Sequence, residues 1–291
     1  MPRSLRRREF LLAAAASGTA FLAAPSARVS ARVQSAGPDP DFHVFLAFGQ
    51  SNMEGFPGIE AQDTIGVDPR FRMLAAVDFP ELGRRQGEWY DAIPPLCRGT
   101  TGLCPADYFG RAMVAGAPPR VTVGVVNVAV AGCKIELFDK DTHETYAATA
   151  PSWMTNIIAQ YGGNPYQRLV DMARLAQKRG VIKGILLHQG ESNPNDMAWP
   201  RKVAKIYGDL ITDLNLAPAD APLIAGETVN ADQQGATAGM NAIIAQLPTV
   251  VPTAHVVSSK GCEARRDHLH FTPAGYRELG RRYAEKMLEL A

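Results

Sequence analysis

Four short polar segments contain residue types that could carry out a reaction, and each segment follows an apolar run. They are residues 49–53 (Gly-Gln-Ser-Asn-Met), 131–134 (Ala-Gly-Cys-Lys), 188–193 (His-Gln-Gly-Glu-Ser-Asn) and 267–270 (Asp-His-Leu-His). A serine hydroxyl becomes a strong nucleophile when a neighbouring imidazole removes its proton, and a carboxylate holds that imidazole in the correct tautomer. The residue types in these segments therefore predict a serine hydrolase.

Individual side chains can be assigned to these roles. Ser51 is the predicted nucleophile, His270 the predicted base, and Asp267 the acid that orients the base. The tetrahedral intermediate of ester hydrolysis also needs donors for its oxyanion. The candidates are the backbone N–H groups of Ser51 and Gly132 and the side-chain amide of Gln189. Each residue alone would also fit a turn or a capping arrangement, and it is their coincidence after four apolar runs that favours catalysis.

The elements that must position these residues are strands alternating with helices. Apolar runs predict five strands, at residues 42–48, 121–130, 181–187, 222–226 and 254–258. Helical periodicity covers residues 166–178 and 201–214, and a last helix starts at Thr272-Pro273. The pattern predicts an α/β fold, a three-layer α/β/α sandwich around a mostly parallel five-stranded sheet. Ligands bind beyond the carboxyl ends of such strands, so the polar segments should meet at one edge.

The stretch from residue 55 to residue 104 shows no such pattern. It is rich in Pro, Gly and Arg, and we expect an irregular surface excursion rather than a separate domain. Long loops of this kind often carry function in compact domains.

The first 31 residues are predicted to be an export signal. Residues 7–11 (Arg-Arg-Glu-Phe-Leu) resemble the twin-arginine signal of bacteria, and an apolar run follows as far as residue 24. That run is shorter than the roughly 20 residues that span a bilayer, although an uncleaved anchor remains the alternative. We expect cleavage between residues 31 and 36, which leaves one domain over residues 37–291 with no stable membrane anchor. The twin-arginine machinery would export it, folded, to the periplasm or the extracellular space.

The composition of the 291 residues is that of a globular protein, with 46% hydrophobic and 20% charged residues. The 30 basic and 29 acidic residues give a net charge of +1, which offers no electrostatic basis for nucleic-acid binding. Five of the arginines lie in the predicted signal, so the remaining domain is mildly acidic.

Three of the polar segments resemble the motif blocks of a known superfamily. Residues 49–53, 188–191 and 267–270 are similar in order and spacing to blocks of the SGNH/GDSL hydrolases. They are most similar to the sialate O-acetylesterase and carbohydrate esterase family 6 (acetylxylan esterase-like) branch, over about residues 42–291. The resemblance implies a flavodoxin-like α/β/α fold and deacetylation of a sugar ester through an acyl-enzyme intermediate, with no metal or other cofactor.

The resemblance also assigns roles by position. Ser51 is the nucleophile, His270 the base and Asp267 its orienting acid. Gln189 takes the oxyanion role that asparagine has elsewhere in the superfamily, with Gly132 as the partner donor. The supporting positions are Gln50, Asn52 and Glu191.

One segment departs from the pattern of that branch. The branch usually has two glycines followed by Thr or Ser after the second strand, whereas this chain has Ala-Gly-Cys-Lys at 131–134. Gly132 keeps the N–H that the oxyanion needs. Lys134 changes the charge near the pocket, which bears on the identity of the substrate more than on catalysis.

The predicted substrate is an acetylated carbohydrate of the acetylxylan or sialic acid type. A general short-chain carboxylesterase of the same fold and a non-catalytic carbohydrate-binding protein are the alternatives, although the intact serine, histidine and aspartate argue against the second. A metal-dependent hydrolase using His188, His268 and His270 is a further alternative, but its ligand set is incomplete.

Cysteines and aromatic residues add two expectations. The oxidising destination permits disulfides, and we expect bridges between Cys97 and Cys104 and between Cys133 and Cys262. Four aromatic residues in loop-like stretches would either stack on sugar rings or pack beneath the loops, namely Trp89, Tyr90, Trp153 and Trp199.

Overall fold

The computed structural model describes residues 37–56 and 58–291. The predicted export signal lies outside these described residues and stays a prediction. Within the described part of the chain, no helix combines the length and the apolar character needed to cross a membrane.

A seven-stranded sheet forms the centre of the fold, in the order β3-β2-β4-β1-β5-β6-β7. Neighbouring strands are parallel except β2 and β3, which are antiparallel. The strands are β1 (Phe42–Gly49), β2 (Phe71–Leu74), β3 (Trp89–Asp91), β4 (Thr122–Ala129), β5 (Val181–His188), β6 (Leu223–Gly226) and β7 (Ala254–Val257). The predicted α/β fold with a mostly parallel sheet is confirmed, and all five predicted strands are present.

The predicted number of strands is wrong, because β2 and β3 both lie in the stretch that was expected to be irregular. They have only four and three residues, and β3 forms the partly exposed edge of the sheet. Strands this short carry too few residues to show an alternating or continuous apolar pattern.

Helices surround the sheet. In the described residues they are α1 (Ser51–Glu54), α2 (Ala61–Thr64), α3 (Pro105–Gly116), α4 (His143–Ala148), α5 (Ser152–Gln160), α6 (Pro165–Gln177), α7 (Trp199–Asp213), α8 (Asn241–Ile244) and α9 (Pro273–Glu289). Short 3₁₀ helices are Pro80–Leu82, Ile135–Phe138, Pro218–Asp220, Ala231–Gln233, Ala238–Met240 and Leu247–Thr249. The three predicted helices correspond to α6, α7 and α9. Thr272 caps α9, because its hydroxyl accepts the N–H of Gly275 at 3.2 Å.

The central strand β1 is apolar because helices cover both faces of the sheet. Phe45 contacts Phe109 of α3 on one face, with ring centres 4.9 Å apart. Phe48, three residues further along and therefore on the opposite face, contacts Phe138 at 5.2 Å. The rings of Phe45 and Phe48 are both fully buried, so the hydrophobic core continues on either side of the strand.

The carboxyl ends of β4, β1 and β5 lie side by side, and this brings three of the polar segments together. Gly49 at the end of β1 is in register with Ala129 of β4 and with His188 of β5. Gly49 has a φ of +148°, and a Cβ added there would lie 2.1 Å from the His188 carbonyl oxygen. Only glycine fits this close approach, which places the next residues directly at the sheet edge.

The predicted disulfides are wrong, because all four cysteines are free and buried. Three of the sulfur atoms have separate polar partners, which are the Tyr161 hydroxyl at 3.2 Å for Cys97, the Asn127 amide at 3.6 Å for Cys104 and the Gly49 carbonyl at 3.7 Å for Cys133. Burial raises the pKa of the Cys97 and Cys262 thiols to about 11, which keeps them protonated and unreactive at neutral pH.

Candidate active site

Ser51, His270 and Asp267 lie in one hydrogen-bonded chain at the carboxyl edge of the sheet. The Ser51 Oγ atom is 2.9 Å from His270 Nε2, and His270 Nδ1 is 2.9 Å from Asp267 Oδ2. Ser51 begins α1 immediately after β1, whereas the other two residues precede α9, more than 210 positions later. The structure therefore brings together the three residues whose meeting the sequence analysis required.

Asp267 is held as a carboxylate by its own loop. Its Oδ1 atom accepts the backbone N–H groups of Leu269 and His270, each at 3.0 Å, while Oδ2 faces the imidazole. Burial tends to raise the pKa of this carboxyl, but these hydrogen bonds outweigh it and lower the pKa to about 2. The group is therefore ionised at neutral pH and can stabilise a protonated imidazole.

Phe56, which the sequence analysis did not single out, packs flat against the His270 imidazole. The two ring centres are 3.9 Å apart and their planes differ by 10°. The guanidinium carbon of Arg265 lies 5.2 Å from the centre of the Phe56 ring. Stacking on one side and the Asp267 carboxylate at Nδ1 together fix the orientation of the imidazole. The position of Phe56, just beyond the first polar segment, was the available signal.

Ser51 and Gly132 follow the neighbouring strands β1 and β4, and their backbone N–H groups are the candidate oxyanion donors. Ser51 is the first residue of α1, so its N–H has no acceptor within the helix. Gly132 follows β4 with a φ of +67°, a conformation that suits glycine. Its carbonyl accepts the Ser192 hydroxyl at 3.0 Å, which ties this turn to the loop after β5.

The Gln189 side chain is already engaged by neighbouring groups. Its Oε1 atom accepts the indole N–H of Trp199, which fixes the orientation of the amide. Its Nε2 atom then faces three acceptors, which are Gln50 Oε1 at 3.1 Å, the Cys133 carbonyl at 3.2 Å and Asn193 Oδ1 at 2.7 Å. Two amide hydrogens are shared among these acceptors, so Gln189 would reach an oxyanion only by releasing one of them. Its predicted oxyanion role stays a prediction, and the two backbone N–H groups are the stronger candidates.

Gln50, predicted as a supporting residue, lies between two of the segments. Its Oε1 atom accepts the Gln189 amide and also the backbone N–H of Ser192, both at 3.1 Å. The residue before the nucleophile therefore holds the loop after β5 in place.

A buried polar network lies beneath the serine and the histidine, and it contains the other two predicted supporting residues. Asn52 Nδ2 donates to Glu191 Oε1 at 2.5 Å and to the Leu269 carbonyl at 3.0 Å, while Asn52 Oδ1 accepts the Tyr276 hydroxyl at 2.8 Å. Glu191 Oε1 is also 3.3 Å from His188 Nε2. Burial opposes ionisation of Glu191, but the contacts with His188 and Asn52 outweigh it and lower the pKa of Glu191. Asn52 thus connects α1 to the loop that carries the base.

A buried ion pair that the sequence analysis missed holds the turn after β4. The Arg98 guanidinium donates to the Glu54 carboxylate and to the Ala129 carbonyl, the latter at 3.1 Å. The second Glu54 oxygen accepts the N–H of Ala131. The pair therefore ties α1 to the segment 131–134. Its members are 44 positions apart, so no local pattern could have revealed it.

Two clefts lie beside the Ser51–His270 pair. One, of about 430 Å³, is lined in part by Phe56, Thr101 and Ala131. The other, of about 400 Å³, is lined by Arg265, Arg266, Asp267 and Thr272. Each cleft includes a residue that contacts the His270 imidazole, Phe56 in the first and Asp267 in the second.

The three histidines of the metal alternative have separate partners. His270 pairs with Ser51, His188 lies buried beside Glu191, and His268 Nδ1 is 3.2 Å from the Gln233 carbonyl. Over residues 37–56 and 58–291, no three or more His, Cys, Asp or Glu side chains are grouped so that they could hold a metal ion together.

The fold is of the α/β/α class, and a serine, a histidine and an aspartate meet where ligands of such sheets bind, at the carboxyl edge. Comparison of the sequence with protein families identifies the family. The family model described as "Carbohydrate esterase, sialic acid-specific acetylesterase" matches residues 41–289. The chain belongs to this carbohydrate esterase family, which confirms the predicted sialate O-acetylesterase branch. Membership indicates an esterase that hydrolyses O-acetyl esters of carbohydrates.

Solved structures of similar proteins share the fold. A protein from Arabidopsis thaliana is 23% identical, with a TM-score of 0.65 over 86% of this chain and 99% of that chain. NanS is 19% identical, with a TM-score of 0.59 over 87% of this chain and 98% of that chain. A carbohydrate acetylesterase from Xanthomonas citri is 19% identical, with a TM-score of 0.57 over 83% of this chain. The match covers 55% of the Xanthomonas chain, so this protein spans about half of its length.

Proposed function

We propose that the protein is an exported serine esterase that removes acetyl groups from a carbohydrate through an acyl-enzyme intermediate. Ser51 is the nucleophile, His270 the general base and Asp267 the acid that orients it. The observation that carries the proposal is the chain of two 2.9 Å contacts from the serine hydroxyl through the imidazole to the carboxylate.

The reaction has two steps. In the first, His270 Nε2 takes the proton of Ser51 while Oγ attacks the acetyl carbonyl carbon. The bond between that carbon and the sugar oxygen then breaks, and the imidazolium gives its proton to the leaving sugar oxygen. In the second, a water molecule gives a proton to His270 and attacks the acetyl-serine. The bond between the acetyl carbon and the Ser51 oxygen breaks, the proton on His270 returns to that oxygen, and acetic acid leaves and ionises to acetate in water.

Negative charge develops on the acetyl carbonyl oxygen in both steps. The N–H groups of Ser51 and Gly132 are the proposed donors, and one such donor typically changes the rate by about 10²–10³. The Glu54–Arg98 pair supports them indirectly, because it fixes the turn that carries Gly132.

Positive charge around the site favours an anionic sugar of the sialic acid type over neutral acetylxylan. Arg265 and Arg266 line the cleft next to Asp267, and Lys134 lies exposed two residues after Gly132. A guanidinium matches the planar geometry of a sugar carboxylate. We expect Arg266→Gln to lower kcat/KM for acetylated sialic acid and to leave it unchanged for acetylated xylo-oligosaccharides.

The serine mechanism is tested by initial rates on an acetyl ester in the presence of a chelator. We expect wild-type activity to persist with chelator and Ser51→Ala to lose it, with both proteins giving the same circular dichroism spectrum. Undiminished hydrolysis by Ser51→Ala would rule out the proposed nucleophile. Export is tested separately, by whether replacement of Arg7 and Arg8 with lysine retains the protein in the cytoplasm.

A further inference from the structure

Trp153 exposes a large aromatic surface directly beside the proposed oxyanion turn. Its side chain, at the start of α5, is 51% exposed, although tryptophan usually lies buried in folded domains. A Cβ added at Gly132 would lie 2.7 Å from the Cη2 atom of the Trp153 ring, so the indole rests against the Gly132 backbone. Ligand sites are commonly lined by aromatic side chains together with a few polar groups, and Trp153 with the turn at Gly132 has this composition.

The other three aromatic residues that were candidates for stacking on a sugar are buried, lie away from the catalytic edge or make other contacts. Trp199 is fully buried and donates to Gln189. Trp89 packs on Phe42 at 4.7 Å, where β1 begins, at the opposite edge of the sheet from the site. The Tyr90 hydroxyl accepts the backbone N–H of Arg85. Of the four aromatic candidates, Trp153 presents its ring at the catalytic edge.

The indole is also fixed relative to the turn. The next residue, Met154, is buried, and its sulfur accepts the Tyr146 hydroxyl at 3.6 Å. The same hydroxyl accepts the N–H of Lys134 at 3.0 Å. These contacts tie the backbone at the start of α5 to the segment 131–134, so the residue that carries the indole keeps its position beside the turn.

We infer that Trp153 is the platform on which the pyranose ring of the acetylated carbohydrate stacks. The inference rests on the proposed function and adds a sugar subsite to it. The C–H groups of a pyranose face are apolar and pack against an aromatic ring, while the hydroxyls stay in water. When the acetyl carbonyl oxygen accepts the Gly132 N–H, the ester oxygen that joins the acetyl group to the sugar is two bonds away. The sugar ring attached to that oxygen is then next to the indole.

The platform binds the sugar and not the acetyl group, so its removal should affect only sugar substrates. We expect Trp153→Ala to lower kcat/KM for the acetylated sugar by about 5- to 30-fold, chiefly through KM, the effect of truncating a buried aromatic contact. Hydrolysis of ethyl acetate, which has no ring, should change less than about 2-fold. Trp153→Phe should recover most of the activity. Leu290→Ala is the control and should match wild type. Leu290 is also an exposed apolar residue, but it lies in the cleft lined by His43 and Lys183, at the other end of β1 and β5.

A binding measurement separates this inference from the proposed catalysis. Ser51→Ala protein is titrated with the acetylated sugar while tryptophan fluorescence is followed, and the change in fluorescence should disappear in Ser51→Ala/Trp153→Phe. Equal loss on both esters in Trp153→Ala would overturn the inference, because the indole would then only support the turn. Unchanged kcat/KM on the sugar ester, or a fluorescence change that survives without Trp153, would overturn it as well. Wild-type protein that binds the sugar without hydrolysing any ester would instead refute the proposed function.

Discussion

Replacement of Glu191 tests how the buried network supports the base. In Glu191→Ala, Asn52 Nδ2 loses one of its two acceptors, and the buried His188 Nε2 loses the carboxylate 3.3 Å away. Two buried polar groups then lose a neighbouring partner, and each such loss typically destabilises a protein by about 1–3 kcal/mol. Glu191→Gln keeps an acceptor oxygen for Asn52, so its effect should be smaller, about 1–2 kcal/mol.

Both variants should also affect turnover, because Asn52 holds the Leu269 carbonyl and Leu269 in turn donates to Asp267. Urea unfolding gives the change in stability, and kcat and KM are measured where each variant remains folded. We expect kcat to fall in the order wild type, Glu191→Gln, Glu191→Ala, with KM nearly constant. Wild-type stability and kcat in Glu191→Ala would refute the reasoning, and so would equal effects of the two substitutions.

Three further predictions concern the site itself. His270→Ala should lower kcat by several orders of magnitude, because the base is removed; since the ring stacked on Phe56 is removed as well, rates are compared at a temperature at which circular dichroism shows both proteins folded. The pKa of Asp267 is lowered to about 2, so its stabilising contribution is complete above about pH 4 and is lost as the pH falls towards 2. The difference in melting temperature between wild type and Asp267→Asn should therefore shrink between pH 4 and pH 2 and stay constant above pH 4. Gly132→Ala requires a side chain at φ +67° and against Trp153, and kcat should fall at least about 10-fold on ethyl acetate as well as on the sugar ester.

The sequence was sufficient to predict the central strands and the residues that meet at their ends. Strands β1, β4 and β5 have eight residues each and are buried on both faces, which gives long apolar runs. The segments that follow them carry the residue types of a hydrolase, and the parallel arrangement brings Ser51 to His270. The edge strands β2 and β3 were missed because they are short.

Other features depend on side-chain direction, which spacing along the chain does not reveal. Cys97 and Cys104 are close in sequence, yet their sulfur atoms contact different partners. The contacts of Gln189 with Trp199 and Asn193 were not predicted, because they depend on which way its amide turns, and its oxyanion role stays a prediction. The stacking of Phe56 on the imidazole of His270 likewise depends on the direction in which the folded chain turns both side chains.

Covalent labelling of the nucleophile tests the central claim most directly. The protein is incubated with a fluorophosphonate, digested, and mapped by mass spectrometry while residual esterase activity is followed. We expect one phosphonyl group per chain, on the peptide that contains Ser51, with activity lost in proportion to labelling and no labelling in Ser51→Ala. Complete inactivation with the label on another residue, or full esterase activity in protein labelled at Ser51, would contradict it.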